Sequence, residues 1–173
     1  MMKILLVEDD SYKSSAIISW IREEYKKASV VVKSSYRDGC LAVFNSTFDL
    51  LILDMSLPAR SQNSGGGEDT IVNGGELIIR EMLDEGILFH AVILTQYETF
   101  NGETIEAIDE RLRYICGDSF CGCISYNSQD DSWKNNLKII IDNAIKSEYI
   151  ALKKDVYSIL QLRYTPSFSD DYS

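Results

Sequence analysis

Leu50-Leu51-Ile52-Leu53-Asp54 is a short aliphatic run closed by an acid, and Ile4-Leu5-Leu6-Val7-Glu8-Asp9 repeats the pattern near the start of the chain. Unbroken aliphatic runs of this length fit strands buried on both faces, as in a parallel sheet. The acids that follow them are then carboxylates presented at the carboxyl ends of strands. If both strands lie in one sheet, Glu8, Asp9 and Asp54 converge. A cluster of three carboxylates repels itself and needs a cation, a shared proton or both.

Outward from these two runs the chain alternates strand and helix. Residues 3–7 read as a strand. Residues 11–27 carry Ala16, Ile17, Trp20, Ile21 and Tyr25 at helical spacing, and Val30-Val31-Val32 is a second strand. A short helix over 37–46, the third strand at 49–54, a helix over 74–85 and a strand over 91–95 follow. A helix near 103–115, a weaker strand at 121–125 and a long helix from about 132 complete the pattern. Five strands alternating with helices predict a doubly wound α/β sheet, parallel throughout and covered on both faces. In the order 2-1-3-4-5, the first and third strands are neighbours at the switch point, where ligands bind outside the carboxyl ends. Glu8, Asp9 and Asp54 land there, and Thr95, at the end of the fourth strand, lands beside Asp54.

Composition narrows the class. With 173 residues the chain suits one domain of ordinary size. Its net charge of −10 disfavours direct nucleic-acid binding, which relies on Lys and Arg neutralising phosphates. No run of roughly 18 apolar residues is present to cross a membrane, and acids arrive too early at the start for a secretory leader; a cytoplasmic location is the expectation. Cys40, Cys116, Cys121 and Cys123 lack paired metal-ligand spacing and read as small buried hydrophobes in a reducing compartment, with Cys121 and Cys123 sharing a strand face. The single histidine, His90, precedes the fourth strand, at the opposite end of the sheet from the acids.

Residues 2–147 resemble the receiver domain (CheY-like) of two-component response regulators, with its flavodoxin-like fold. The resemblance is carried by Ile4-Leu5-Leu6-Val7-Glu8-Asp9-Asp10, Leu51-Ile52-Leu53-Asp54-Met55-Ser56-Leu57-Pro58, Gly75-Glu76-Leu77 and Val92-Ile93-Leu94-Thr95. It implies a phosphoprotein in which Asp54 accepts a phosphoryl group from a histidine kinase or phosphotransfer protein. It also implies Mg2+ held by Asp9, Asp54, Glu8 through water and the Ser56 carbonyl, with Thr95 hydrogen-bonding a phosphoryl oxygen. The output is contact with a downstream protein, not an enzymatic reaction; a metal-dependent hydrolase lacks an obvious general base in this sequence.

Four positions depart from the family pattern. Where the family has lysine followed by proline after the fifth strand, this chain has Tyr126-Asn127, so the phosphoryl-pairing cation is missing. Lys13 and Arg60 are the nearest basic candidates by chain position to replace it, but a solvated surface charge is the expectation for each. Cys123 stands at the family's aromatic switch position. Gln96 replaces a small residue after the threonine, and Tyr97 falls where the family tunes phosphate hydrolysis. These departures define the alternative, a pseudo-receiver scaffold that works without phosphorylation.

Two segments extend the receiver-like unit of residues 1–147. The Gly-rich insertion at 59–73 starts next to the predicted site and is a candidate lid or docking loop. From Trp133 to Tyr164 no Gly or Pro interrupts a helical apolar pattern, which fits one helix of about 30 residues or two joined by a bend near 146–148. Residues 148–173 then form a helical extension, a candidate for homodimerisation, and a loose tail beginning at Pro166.

Overall fold

The computed structural model describes residues 1–61 and 69–163, with side chains as far as residue 147. Five strands, β1 (Lys3–Val7), β2 (Ser29–Lys33), β3 (Leu50–Leu53), β4 (Ala91–Thr95) and β5 (Phe120–Ser125), form one sheet. All neighbours are parallel and the order is β2-β1-β3-β4-β5. Five helices connect and cover the strands: α1 (Ser11–Glu24), α2 (Tyr36–Asn45), α3 (Gly74–Asp84), α4 (Ile105–Cys116) and α5 (Ser132–Arg163). The architecture is the doubly wound, flavodoxin-like one that the strand–helix alternation predicts.

Alternation along the central strands divides the interior into two cores. Leu5, Val7, Leu51, Leu53, Ala91 and Ile93 face α2, α3 and α4, whose Val43, Ile78, Met82, Ile108 and Leu112 are buried against them. Ile4, Leu6, Leu50, Ile52, Val92 and Leu94 face α1 and α5, where Ile17, Ile21, Trp133, Leu137 and Ile141 close the other layer. Continued one step past the strand ends, the same alternation turns Glu8 and Asp54 toward the α1/α5 side.

The element ends follow local chemistry. Asp10 caps α1, its carboxylate accepting from the amides of Tyr12 and Lys13 at 2.8 and 3.1 Å. The helix N-terminus is thereby fixed directly after the acidic pair Glu8-Asp9. Gly75 sits in the first turn of α3 because the helix starts against the main chain of Asp54, where a Cβ would collide with that residue's carbonyl oxygen.

Two-residue ladders too short to leave a pattern in the sequence also form. Leu57–Pro58 pairs antiparallel with Thr70–Ile71, pinning the base of the insertion, and Thr99–Phe100 pairs with Glu103–Thr104. Residues 62–68, which include the glycine run considered as a lid, lie outside the described residues. The α5 helix is continuous over 32 residues and is not divided into two; the tail from residue 164 lies outside the described residues.

The cysteine pair departs from simple alternation. The β4–β5 register shifts between Ala91 and Val92, with Gly122 at φ +123°, and the irregularity sends Cys121 and Cys123 to opposite faces. Cys123 packs on the α2/α3/α4 core and Cys121 on the α1/α5 core. The expectation of a shared face fails because the extra residue in one strand resets its period. All four cysteines are free and only partly buried.

Candidate functional site

At the carboxyl edge of β1 and β3, Glu8, Asp9 and Asp54 each offer a carboxylate oxygen within 4.8 Å of the others. Glu8 and Asp54 are buried, at 3% and 5% exposure, while Asp9 faces solvent. Strand ends give this convergence directly: β1 and β3 are paired in register from Ile4–Leu50 to Val7–Leu53, so the next residue of each chain emerges side by side. The Asp54 amide donates to the Val7 carbonyl at 2.9 Å, locking that adjacency. Ser56 follows two residues later, in the bend that leads to Leu57–Pro58.

Thr95, fully buried, closes β4 beside β3. Its hydroxyl accepts from the Tyr97 amide at 3.4 Å, and its carbonyl accepts from the Tyr126 amide at 2.7 Å. Gln96 and Tyr97 point to solvent, Tyr97 half-exposed with its ring edge-on to Phe100.

The residue that the sequence reading placed wrongly is Lys13. It is not a solvated surface charge but a buried cation, 3% exposed. Its ammonium lies 2.6 Å from Glu8 Oε2 and 2.9 Å from Asp54 Oδ1, and it donates to the Leu94 carbonyl at 2.8 Å. Arg60, the other candidate, is exposed. A signal for Lys13 was present: residues 13, 17 and 21 are four apart, so Lys13 occupies the stripe of α1 that buries Ile17 and Ile21. A lysine at the head of that stripe must bring its charge to the sheet, and the strand-end acids receive it. Its position in the first turn, where the helix dipole disfavours a cation, makes the two carboxylates the evident stabilising partners.

The electrostatics of the cluster are dominated by burial. Loss of solvent pushes the Glu8 carboxyl up to about 7, with the charge of Asp54 adding to the rise and Lys13 opposing it. Asp9 is raised in the same direction, first by burial and then by the charges of Asp54 and Asp10. Three carboxylates and one ammonium carry a formal charge of about −2, which one divalent cation would neutralise. The donor set is all oxygen, and the exposed Asp9 leaves an open side for water, as Mg2+ requires. The residues present fit such an ion.

Tyr126, in the place of the family's lysine, continues the face of Ile124 and packs on the α1/α5 core. Its ring lies 5.5 Å from the Lys13 ammonium and 5.2 Å from the ring of Trp133. Trp20 packs edge-on to Trp133 at 5.7 Å, so both tryptophans of the chain are linked through ring contacts to Tyr126.

A second ionic cluster lies between α3, α4 and the Thr99–Thr104 hairpin. The buried Glu76 accepts from Arg111 and, at 2.8 Å, pairs with Arg80; Arg111 also holds Glu103 at 2.7 Å. Burial would raise the Glu76 carboxyl, but hydrogen bonds from Arg111 and Arg80 outweigh it and leave it lowered.

No protein-family model matches the chain. Detocs response regulatory protein DtcB of Enterobacter cloacae (strain JD6301) is 26% identical over 145 residues, covering 79% of this chain and 95% of that protein. The CheY-like response regulator receiver domain protein from Methanospirillum hungatei JF-1 superposes with a TM-score of 0.57 at 18% identity, covering 86% of this chain and 98% of the other. Thermotoga maritima response regulator TrrA, solved in complex with Mg(2+)-BeF, gives 0.52 at 17% identity over 80% of this chain and 97% of its own. With its sheet order and its strand-end acids already established, the chain has the CheY-like receiver fold of response regulators.

Proposed function

We propose that this chain is a response-regulator receiver protein that accepts a phosphoryl group on Asp54 and signals through contact with another protein. The observation that carries this reading is the convergence of Glu8, Asp9 and Asp54 within 4.8 Å at the switch point of a receiver fold, with Thr95 on the adjacent strand. In the reaction, an Asp54 oxygen attacks phosphorus and forms a mixed anhydride. The bond from phosphorus to the donor breaks, and its electron pair leaves with the donor, a phosphohistidine or a small acyl phosphate. Asp9, Asp54, Glu8 through water and the Ser56 carbonyl are the residues that would hold Mg2+. When bound, the ion supplies positive charge to the phosphoryl oxygens. Thr95 donates a hydrogen bond to one of those oxygens. The donor is a histidine kinase or phosphotransfer protein, and the setting is cytoplasmic. Among the described residues no helix is long and apolar enough to cross a membrane.

Intact-mass analysis after incubation with Mg2+ and acetyl phosphate tests the proposal against Asp54→Asn. A phosphoryl adduct in the native chain that is lost in the variant is the expected result. A native chain that binds Mg2+ but takes no phosphoryl group from this donor or from a histidine kinase would instead make the domain a phosphorylation-independent scaffold.

A further inference from the structure

Lys13 has no role in the pattern that the sequence shares with receivers, yet it is the cation in contact with the proposed acceptor. We infer that Lys13, delivered from α1 instead of from the end of β5, is the group that binds the phosphoryl oxygens at Asp54 and stabilises transfer. This inference rests on the phosphoacceptor reading and adds a residue to it.

Three observations on different elements support the assignment. First, the ammonium touches Asp54 Oδ1 and the Leu94 carbonyl, so it stands at the acceptor oxygen and against the strand end that carries Thr95. Second, the seat at the end of β5 is filled: Tyr126 turns its ring to the α1/α5 side, and its face lies over the Lys13 ammonium. An aromatic ring at 5.5 Å favours a cation there and carries none itself. Third, among the described residues Lys13 is the only lysine or arginine that pairs with Glu8 or Asp54. Its stem is held by the helix stripe that buries Ile17 and Ile21, so the charge is positioned before any donor arrives.

The chemistry needs such a group. As the Asp54–phosphorus bond forms, charge on the phosphoryl oxygens comes to rest beside Glu8 and Asp9. An ammonium already at Asp54 can exchange its carboxylate contact for a phosphoryl oxygen without crossing solvent. Lys13 gains no proton and loses none in this exchange; its three N–H donors rearrange among Glu8, the Leu94 carbonyl and the new oxygen.

The experiment compares native chain, Lys13→Met and the double variant Lys13→Met/Tyr126→Lys. Acetyl-phosphate labelling at saturating Mg2+ is followed by intact mass, and Mg2+ binding by the fluorescence of Trp20 and Trp133. Expected for Lys13→Met is an unchanged or tighter Mg2+ affinity with labelling at least about tenfold slower. The double variant, which restores a cation from β5, should recover labelling. A merely structural role would lower Mg2+ affinity together with labelling and give no recovery, and that result overturns the inference. Native-rate labelling of Lys13→Met also overturns it while leaving Asp54 as acceptor. An unlabelled native chain overturns the acceptor reading and the role of Lys13 with it. If Lys13→Met loses its far-UV circular dichroism, Lys13→Gln, which keeps a donor without the charge, takes its place with the same expectations.

Discussion

Replacing Gly75 by alanine should destabilise the protein and displace its proposed acceptor together. Gly75 lies in the first turn of α3, and an added Cβ would run into the Asp54 carbonyl oxygen, with the Asp54 carbonyl carbon at 3.2 Å and Leu53 Cβ at 3.3 Å. The obstacle is main chain, tied on one side by the Asp54 amide to Val7 and on the other by the Gly74 amide to the Met55 carbonyl at 2.6 Å. Neither partner can swing aside as a side-chain tip would, so α3 and the β3 terminus must separate. Overpacking of this kind costs about 1–3 kcal/mol, and a close clash with backbone belongs at the upper end. The gain from alanine over glycine in a helix, about 1 kcal/mol or less in a first turn, offsets part of it. The net loss is about 2 kcal/mol, or about 4–8 °C in Tm for a chain of this length. Because the shift is at Asp54 itself, labelling should fall by about 10–100-fold even at temperatures where the variant is folded. Scanning calorimetry and acetyl-phosphate labelling of Gly75→Ala, with Gly74→Ala beside it, check both halves. At Gly74 a Cβ meets only the Leu57 side chain, at 3.0–3.3 Å, so that variant should lose less. A Gly75→Ala protein with native Tm and native labelling would refute the claim that this glycine exists to let α3 start against Asp54.

Other expectations follow from the two ionic clusters and the last helix. Glu8, raised to about 7 by burial, binds its proton more tightly folded than unfolded. Its contribution to metal-free stability is therefore largest below about pH 4.5 and is lost as pH rises through about 7. Mg2+ requires the ionised form, so its affinity should increase about tenfold or more between pH 5.5 and 8; titration by tryptophan fluorescence that gives equal affinities at the two pH values would sink this account. Arg111→Met leaves the buried Glu76 with Arg80 alone and should cost about 2 kcal/mol in urea denaturation at pH 7. Since Glu76 is lowered in the folded state, its stabilisation is present above about pH 4.5 and lost as pH falls through the depressed value, so the native–variant gap should narrow in acid. If residues beyond the core-packed part of α5 join two copies, deleting residues 149–173 converts a dimer to a monomer by light scattering, whereas two monomers would remove that mode of assembly.

Much of this molecule was legible from one chain of letters. Unbroken aliphatic runs at 4–7, 50–53 and 91–94 read as strands covered on both faces, and helical spacing between them predicted a parallel, doubly wound sheet. The acids at the ends of two such runs marked the carboxyl edge of the sheet where the proposed site lies, since a strand end is a short-range property of the sequence. Cys121 and Cys123 were not legible in the same way, because a register shift depends on the partner strand and not on spacing within one strand. The two-residue ladders were likewise set by what lies opposite them. Lys13 shows the boundary most clearly. Its place on the stripe with Ile17 and Ile21 determined that it faces the sheet, but Asp54 is 41 residues away in the chain and Leu94 is 81. Only the packing of α1 across the ends of β1, β3 and β4 decided that an ordinary helix lysine becomes a buried cation at the carboxylate cluster. A charge is excluded from the interior unless partners are there to meet it, and those partners come from segments brought together only by the tertiary fold.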